Sequence, residues 1–153
     1  KTGALCAVAC RLGAEHAGAD RSAVEGLEEY GRELGMAFQV ADDLLDLVGD
    51  EAIVGKPVGA DAAQQTLTLP VIRLLSTADA ATVRRVRELL STPGAATREA
   101  LLPLLDSVDA IEYARERAEG FARAAVERLN VLPASPAREL LTDFATYVTA
   151  RRR

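Results

Sequence analysis

The residues best suited to chemistry lie in one run, Phe38-Gln39-Val40-Ala41-Asp42-Asp43-Leu44-Leu45-Asp46-Leu47-Val48. At about 100° per residue, a helix places Gln39, Asp42, Asp43 and Asp46 within an arc of roughly 100°. Phe38, Ala41, Leu44, Leu45 and Val48 cover much of the opposite side. Three carboxylates on one narrow face do not stabilise a helix, because like charges three or four residues apart cost roughly 0.2–0.5 kcal/mol per pair. The cluster also sits just before Gly49, in the last turns, where the helix dipole is negative. No Lys or Arg occurs between Glu33 and Asp50 to offset the repulsion locally. A bound cation relieves all three problems. Oxygen-only ligands select a hard ion, and Mg²⁺ is typically held by one or two carboxylates plus substrate phosphates. Taken alone, an Asp-Asp-x-x-Asp string is equally compatible with a solvated acidic face. The apolar flanks and the loop that follows favour a site.

That loop, Gly55-Lys56-Pro57-Val58-Gly59, sets a cation between glycines that allow close backbone approach, an arrangement suited to phosphate. It is not a Walker motif, since no GxxxxGK[ST] spacing leads into a helix. Lys1-Thr2 supplies a second cation and a hydroxyl. The closing Arg151-Arg152-Arg153 suits a helix C-terminus better than a ligand. His16, the only histidine, reads as a surface or helix-end residue. Cys6 and Cys10, at helical spacing, read as small, partly buried side chains in a reducing compartment. No histidine or third cysteine lies nearby to make a metal site with them.

The elements that must carry these residues follow from composition. A chain of 153 residues can form one domain with a real core. Hydrophobic residues at 49% and charged residues at 27% exclude disordered and collagen-like chains. Aromatics are only 4% and Trp is absent, so the core is built from Leu, Val and Ala. Strong helix formers dominate and strand formers are sparse, which predicts an all-α helical bundle. The net charge of −5 disfavours a nucleic-acid-coating role. No apolar run reaches the roughly 20 residues of a membrane span.

Along the chain, a helix from about Thr2 to Ala17 is expected to stop at Gly18. Asp20 or Ser22 then caps a long second helix, with Glu25 completing a capping box after Ser22. That helix runs to about Val48, and its interior glycines, Gly26, Gly31 and Gly35, imply close helix packing. Residues 49–66 form the one long break, rich in Gly and punctuated by Pro57. Helical periodicity resumes near 67–76, 79–91 and 95–106. A longer helix follows over about 108–130, with Ala114, Phe121, Ala125 and Leu129 on one stripe. Ser135 caps a last helix from about Pro136 to Ala150. The chain opens at Lys1, inside a helical pattern and without Met, and so reads as part of a longer protein.

Phe38-Gln39-x-x-Asp42-Asp43-x-x-Asp46, then Gly49-Asp50, Gly55-Lys56-Pro57-x-Gly59-x-Asp61 and Thr68-Leu69-Pro70, resembles the trans-isoprenyl diphosphate synthases, the polyprenyl synthetases. Lys1-Thr2-Gly3-Ala4-Leu5 is similar to their upstream Lys-Thr helix, and the chain from Tyr113 to Arg153 to their C-terminal helices. The resemblance covers nearly the whole chain. It implies an all-α barrel of helices around a deep cavity, a homodimer, and a cytoplasmic enzyme. The implied reaction is head-to-tail condensation of an allylic diphosphate with isopentenyl diphosphate, assisted by Mg²⁺. By position, Asp42, Asp43 and Asp46 are the second aspartate-rich motif and the metal ligands, with Asp42 the direct one. Lys1 and Lys56 contact the allylic diphosphate, Thr2 and Gln39 line the reacting centre, and Phe38 sits by the isopentenyl pocket.

Two departures stand out. The family's other aspartate-rich motif has no counterpart here, so residues 1–153 correspond to the C-terminal portion of a single synthetase domain. In addition, Gln65 and Thr66 stand where the family usually has Gly-Lys before x-Thr-Leu-Pro. The leading expectation is therefore a prenyltransferase fragment, inactive without its upstream half. A non-catalytic subunit or paralogue acting through helix–helix contacts is the alternative. A terpenoid cyclase fits less well, because no Asn/Asp-Ser/Thr-Glu metal motif is present.

Overall fold

The computed structural model describes residues 1–49, 58–64, 66–91 and 96–150, and among these every regular element is helical. In chain order these are α1 (Thr2–His16), α2 (Arg21–Val48), α3 (Ala60–Ala63) and α4 (Leu69–Thr77). They are followed by α5 (Ala80–Ser91), α6 (Thr97–Asp106), α7 (Ala110–Arg128), a 3₁₀ turn (Leu129–Val131) and α8 (Pro136–Ala150). The described residues form two compact units, one drawn from 1–41 and 117–150, the other from 42–116. Both α2 and α7 contribute to each unit.

In the first unit, α1 stops where Gly18 takes a φ of +70°, a conformation only glycine adopts without penalty. Asp20 is the cap of α2: its Oδ1 accepts the Ala23 N–H at 2.8 Å, while Ser22 lies inside the helix. The core joins Tyr30, Leu34 and Ala37 of α2 to Ala122, Ala125 and Leu129, and to Ala145 and Val148 of α8. With so many alanines, the helices must approach closely to bury enough surface. The glycines permit this. A Cβ on Gly31 would lie 2.4 Å from the Cys6 carbonyl oxygen, and one on Gly35 would lie 2.6 Å from the Gly3 Cα. Gly31 and Gly35 thus admit α1 backbone to backbone, while Gly26 faces Val131 and the Arg128 carbonyl, so each of the three sits at a close approach.

Tyr30, the largest fully buried side chain of this unit, donates its hydroxyl to the Leu141 carbonyl at 2.8 Å. Burial, with smaller contributions from Cys10 and Cys6, pushes its phenol up to about 12. Ser135 Oγ accepts the Arg138 N–H at 3.2 Å and caps α8, as expected.

The second unit is built on Leu47 of α2, Ala62, Val71, Leu74, Val86, Leu90, Leu101, Leu105 and Ala110. Burying each Leu or Val side chain stabilises it by about 1.5–3 kcal/mol. Arg73 of α4 stacks its guanidinium 4.7 Å from the centre of the Tyr113 ring. Within the break expected over 49–66, the described residues include the short helix α3. Gly59, at a φ of +84°, turns the chain into that helix. Gly55, Lys56 and Pro57 lie outside the described residues, as do Gln65 and Arg151–Arg153. No helix among the described residues is long and apolar enough to cross a membrane.

Candidate functional site

The last two turns of α2 carry the acidic face. Asp42 and Asp43 are half-buried, whereas Asp46 is only 6% exposed. Burying a carboxylate demands hydrogen-bond donors, and Asp46 finds them in the backbone beyond Gly59. Its Oδ2 accepts the Asp61 N–H at 2.9 Å and its Oδ1 accepts the Ala60 N–H at 3.2 Å. Its own carbonyl accepts the Gly59 N–H at 2.8 Å. These three bonds strap residues 59–61 onto α2 and satisfy donors at the start of α3 that have no partner within that helix. Asp46 therefore has a structural part that the spacing of the motif did not reveal. The Gly59-x-Asp61 of the sequence motif is brought directly to it.

Beside this strap, Asp43, Asp46, Asp61, Thr66 and Thr68 help to line a cavity of about 10 Å³, the size of a single water. Thr66, in the position of the absent lysine, donates its backbone N–H to the Asp61 carbonyl at 2.9 Å.

Arg98, near the start of α6, was not among the residues singled out by sequence. Its Nε donates to the Leu47 carbonyl at 2.7 Å and its Nη2 to the Gly49 carbonyl at 3.1 Å. These are carbonyls at the C-terminal end of α2, which have no partner within the helix. The guanidinium thus places a cation at the negative pole of the dipole, beside a run of sequence that holds no basic residue of its own. One signal was available: an arginine in the first turn of a helix opposes that helix's own dipole, so it is better used elsewhere.

The other expected site residues belong to the first unit. Lys1 is exposed at the N-cap of α1. Thr2 Oγ1 donates to Gln39 Oε1 at 2.8 Å, joining two residues 37 apart in sequence. Phe38 is 38% exposed. His16 closes α1 and is exposed, and Cys6 and Cys10 are free, half-buried thiols. Burial, and secondly Cys6, raises the Cys10 thiol above its ordinary value. Lys56 lies outside the described residues.

Among the described residues no three His, Cys, Asp or Glu side chains converge into a ready metal cage. That donor set still fits Mg²⁺, which keeps several waters and needs only one or two carboxylates when a phosphate completes its shell. Asp42 and Asp43, both half-buried, are the other two carboxylates of the Asp-Asp-x-x-Asp run.

The family model for polyprenyl synthetases matches residues 1–105. A short chain isoprenyl diphosphate synthase from Methanothermobacter thermautotrophicus is 39% identical over 151 residues, 99% of this chain and 46% of that protein. Heptaprenyl diphosphate synthase component 2 of Bacillus subtilis is 36% identical, over 99% of this chain and 43% of its own length. Among solved structures, a decaprenyl diphosphate synthase from Rhodobacter capsulatus matches with a TM-score of 0.89 at 36% identity. That match covers 100% of this chain and 48% of the other. The chain spans about half the length of the curated relatives it matches, and aligns to their C-terminal half.

Proposed function

Since the chain belongs to the polyprenyl synthetase family, we propose that it is the C-terminal portion of a prenyltransferase that extends an allylic diphosphate with isopentenyl diphosphate. The observation that carries this is the acidic end of α2. Asp42, Asp43 and Asp46 stand together on its last two turns, and Asp46 fixes residues 59–61 beside them. In this reading Asp42 and Asp43 hold Mg²⁺, with Asp42 the direct ligand and Asp46 acting through the backbone it binds. An ion held there supplies electrostatic stabilisation to a diphosphate leaving group.

The chain's own side chains do the rest. Lys1 and Lys56 balance charge on the diphosphate oxygens. The Thr2 hydroxyl, by donating to Gln39, fixes how that amide is presented. Phe38 offers an apolar surface to the isopentenyl substrate. Homodimerisation and a cytoplasmic location belong to the same reading.

The half-length match supports the fragment assignment. So do the exposed Leu5, Val8 and Leu12 on one stripe of α1, which an upstream half of the enzyme would cover. The test is complementation. The chain is combined with the upstream half of the Methanothermobacter relative, which supplies the rest of the domain, and Mg²⁺-dependent condensation of labelled isopentenyl diphosphate is measured. Product is expected from the combination only, and Asp42→Ala should lower turnover by at least about a hundredfold, as for loss of a principal electrostatic contact. Full turnover in that variant refutes the assignment.

A second reading is favoured by Thr66 in place of lysine and by the likeness to a protein named as one component of a heptaprenyl synthase. In it the chain works as a subunit that alters the product length of an active partner. Association with a full-length synthase, followed by analysis of product length, distinguishes the two.

A further inference from the structure

We propose that Arg98 is a positioning residue for the acidic end of α2, acting through the helix carbonyls and the strap rather than on any ligand; the inference rests on the function proposed above. Three observations converge on it. Its guanidinium forks across the carbonyls of Leu47 and Gly49, so it closes the helix immediately after Asp46. Its aliphatic stem covers Gly59, where an added Cβ would lie 3.1 Å from Arg98 Cδ and 3.4 Å from its Cβ. Gly59 in turn donates to the Asp46 carbonyl, and the next two N–H groups are held by the Asp46 carboxylate. One side chain therefore touches both Gly49 and Gly59, the residues on either side of the stretch that carries Lys56.

The chemistry suits the task. A carboxylate-rich helix end resists closure, because the carbonyl dipoles and the side-chain charges have the same sign. A planar, permanently charged fork can satisfy two carbonyls at once, which an ammonium on a flexible stem does less well. Arg98 thus keeps the last turns of α2 helical up to Asp46, and with them the spacing of Asp42 and Asp43. The neighbouring Glu99, 3.9 Å away and mostly exposed, does not compete for this fork.

The experiment compares the native chain with Arg98→Met and Arg98→Lys. Methionine keeps a stem over Gly59 and removes both hydrogen bonds; lysine keeps the charge and one donor group. Amide exchange is followed at Gly59, Ala60 and Asp61, with Leu74 and Val86 as core references, and binding of inorganic pyrophosphate with Mg²⁺ is followed by calorimetry. Arg98→Met should speed exchange at residues 59–61 by at least about tenfold, as expected for the loss of charge-assisted hydrogen bonds. Leu74 and Val86 should be unchanged, and Arg98→Lys should recover part of the protection. The Met variant should also bind magnesium pyrophosphate several-fold more weakly, with recovery by Lys.

Unchanged exchange at 59–61 in Arg98→Met overturns the inference. So does an equal loss of protection at Leu74 and Val86, which would make Arg98 an ordinary stabilising residue. If the native chain binds no magnesium pyrophosphate, the functional reading of this portion fails. The exchange result still decides whether Arg98 fixes the strap.

Discussion

Replacing Gly31 with alanine tests the close approach of α1 and α2 most directly, because the same chemical change has opposite consequences elsewhere. In an open helix, Gly→Ala stabilises by roughly 1 kcal/mol, through reduced freedom of the unfolded chain and better helix propensity. Gly13, on α1, is such a position: an added Cβ meets nothing within 4 Å. At Gly31 the added methyl would lie 2.4 Å from the Cys6 oxygen, 2.7 Å from its carbonyl carbon and 2.9 Å from Cys10 Sγ. Two of these three atoms are backbone, so no rotamer change relieves the overlap and α1 itself must move. Overpacking of this kind costs typically about 1–3 kcal/mol, with backbone obstacles at the upper end.

After subtracting the propensity gain, Gly31→Ala should destabilise by about 1–2 kcal/mol while Gly13→Ala stabilises by up to about 1 kcal/mol. The two differ by about 1–3 kcal/mol, and at roughly 2–4 °C per kcal/mol for a chain of this size their melting temperatures should differ by about 2–12 °C. Urea and thermal unfolding followed by far-UV circular dichroism measure both. If Gly31→Ala is as stable as Gly13→Ala, the backbone-to-backbone contact of the two helices is not what the glycines provide.

Two further outcomes concern pH. Tyr30, with its phenol raised to about 12, stays protonated in the fold where an unfolded tyrosine ionises near 10. Its contribution is whole below about 10 and is lost as pH climbs from there through about 12. Urea midpoints of the native chain should therefore fall over that interval, and Tyr30→Phe should remove that component of the decline. Asp79 shifts the other way. Its carboxylate accepts the Thr82 N–H at 2.7 Å at the start of α5, which holds it below the usual range. Its contribution is present above the unfolded value of about 3.9 and fades as pH falls through the lower folded value. Asp79→Asn keeps a cap acceptor but cannot titrate, so protection factors at the α5 amides, corrected for intrinsic exchange, should lose the part of their acid dependence that Asp79 causes.

Helix boundaries were legible wherever a single residue enforces them. Gly18 stops α1 through its positive φ, Asp20 and Ser135 cap through local oxygens, and Gly49 follows α2, all within a few residues of the atoms they serve. Close packing against α2 was legible as well, because its interior glycines carry a helix penalty that a close neighbour explains, but which element would pack there was not. Both α3 and the 3₁₀ turn at Leu129–Val131 escaped notice. Each is only three or four residues long, too short for an apolar period, and α3 takes its donors' partners from Asp46, fourteen residues upstream.

The site divides along the same line between local and distant causes. Spacing placed Asp42, Asp43 and Asp46 on one face, and nothing in that spacing distinguished their surroundings. Burial does: Asp46 turns inward to backbone donors, while its two companions stay half-exposed. The sequence also posed a problem it could not solve, a helix end with three carboxylates and no nearby cation. The remedy comes from Arg98, fifty-one residues beyond Leu47, and reaches the carbonyls of that end. Bonded there, the guanidinium steadies the helix through its backbone. The proposed metal site would instead draw on the side-chain oxygens of Asp42 and Asp43. Closing the helix end and holding a metal diphosphate are compatible because they use different atoms of the same two turns.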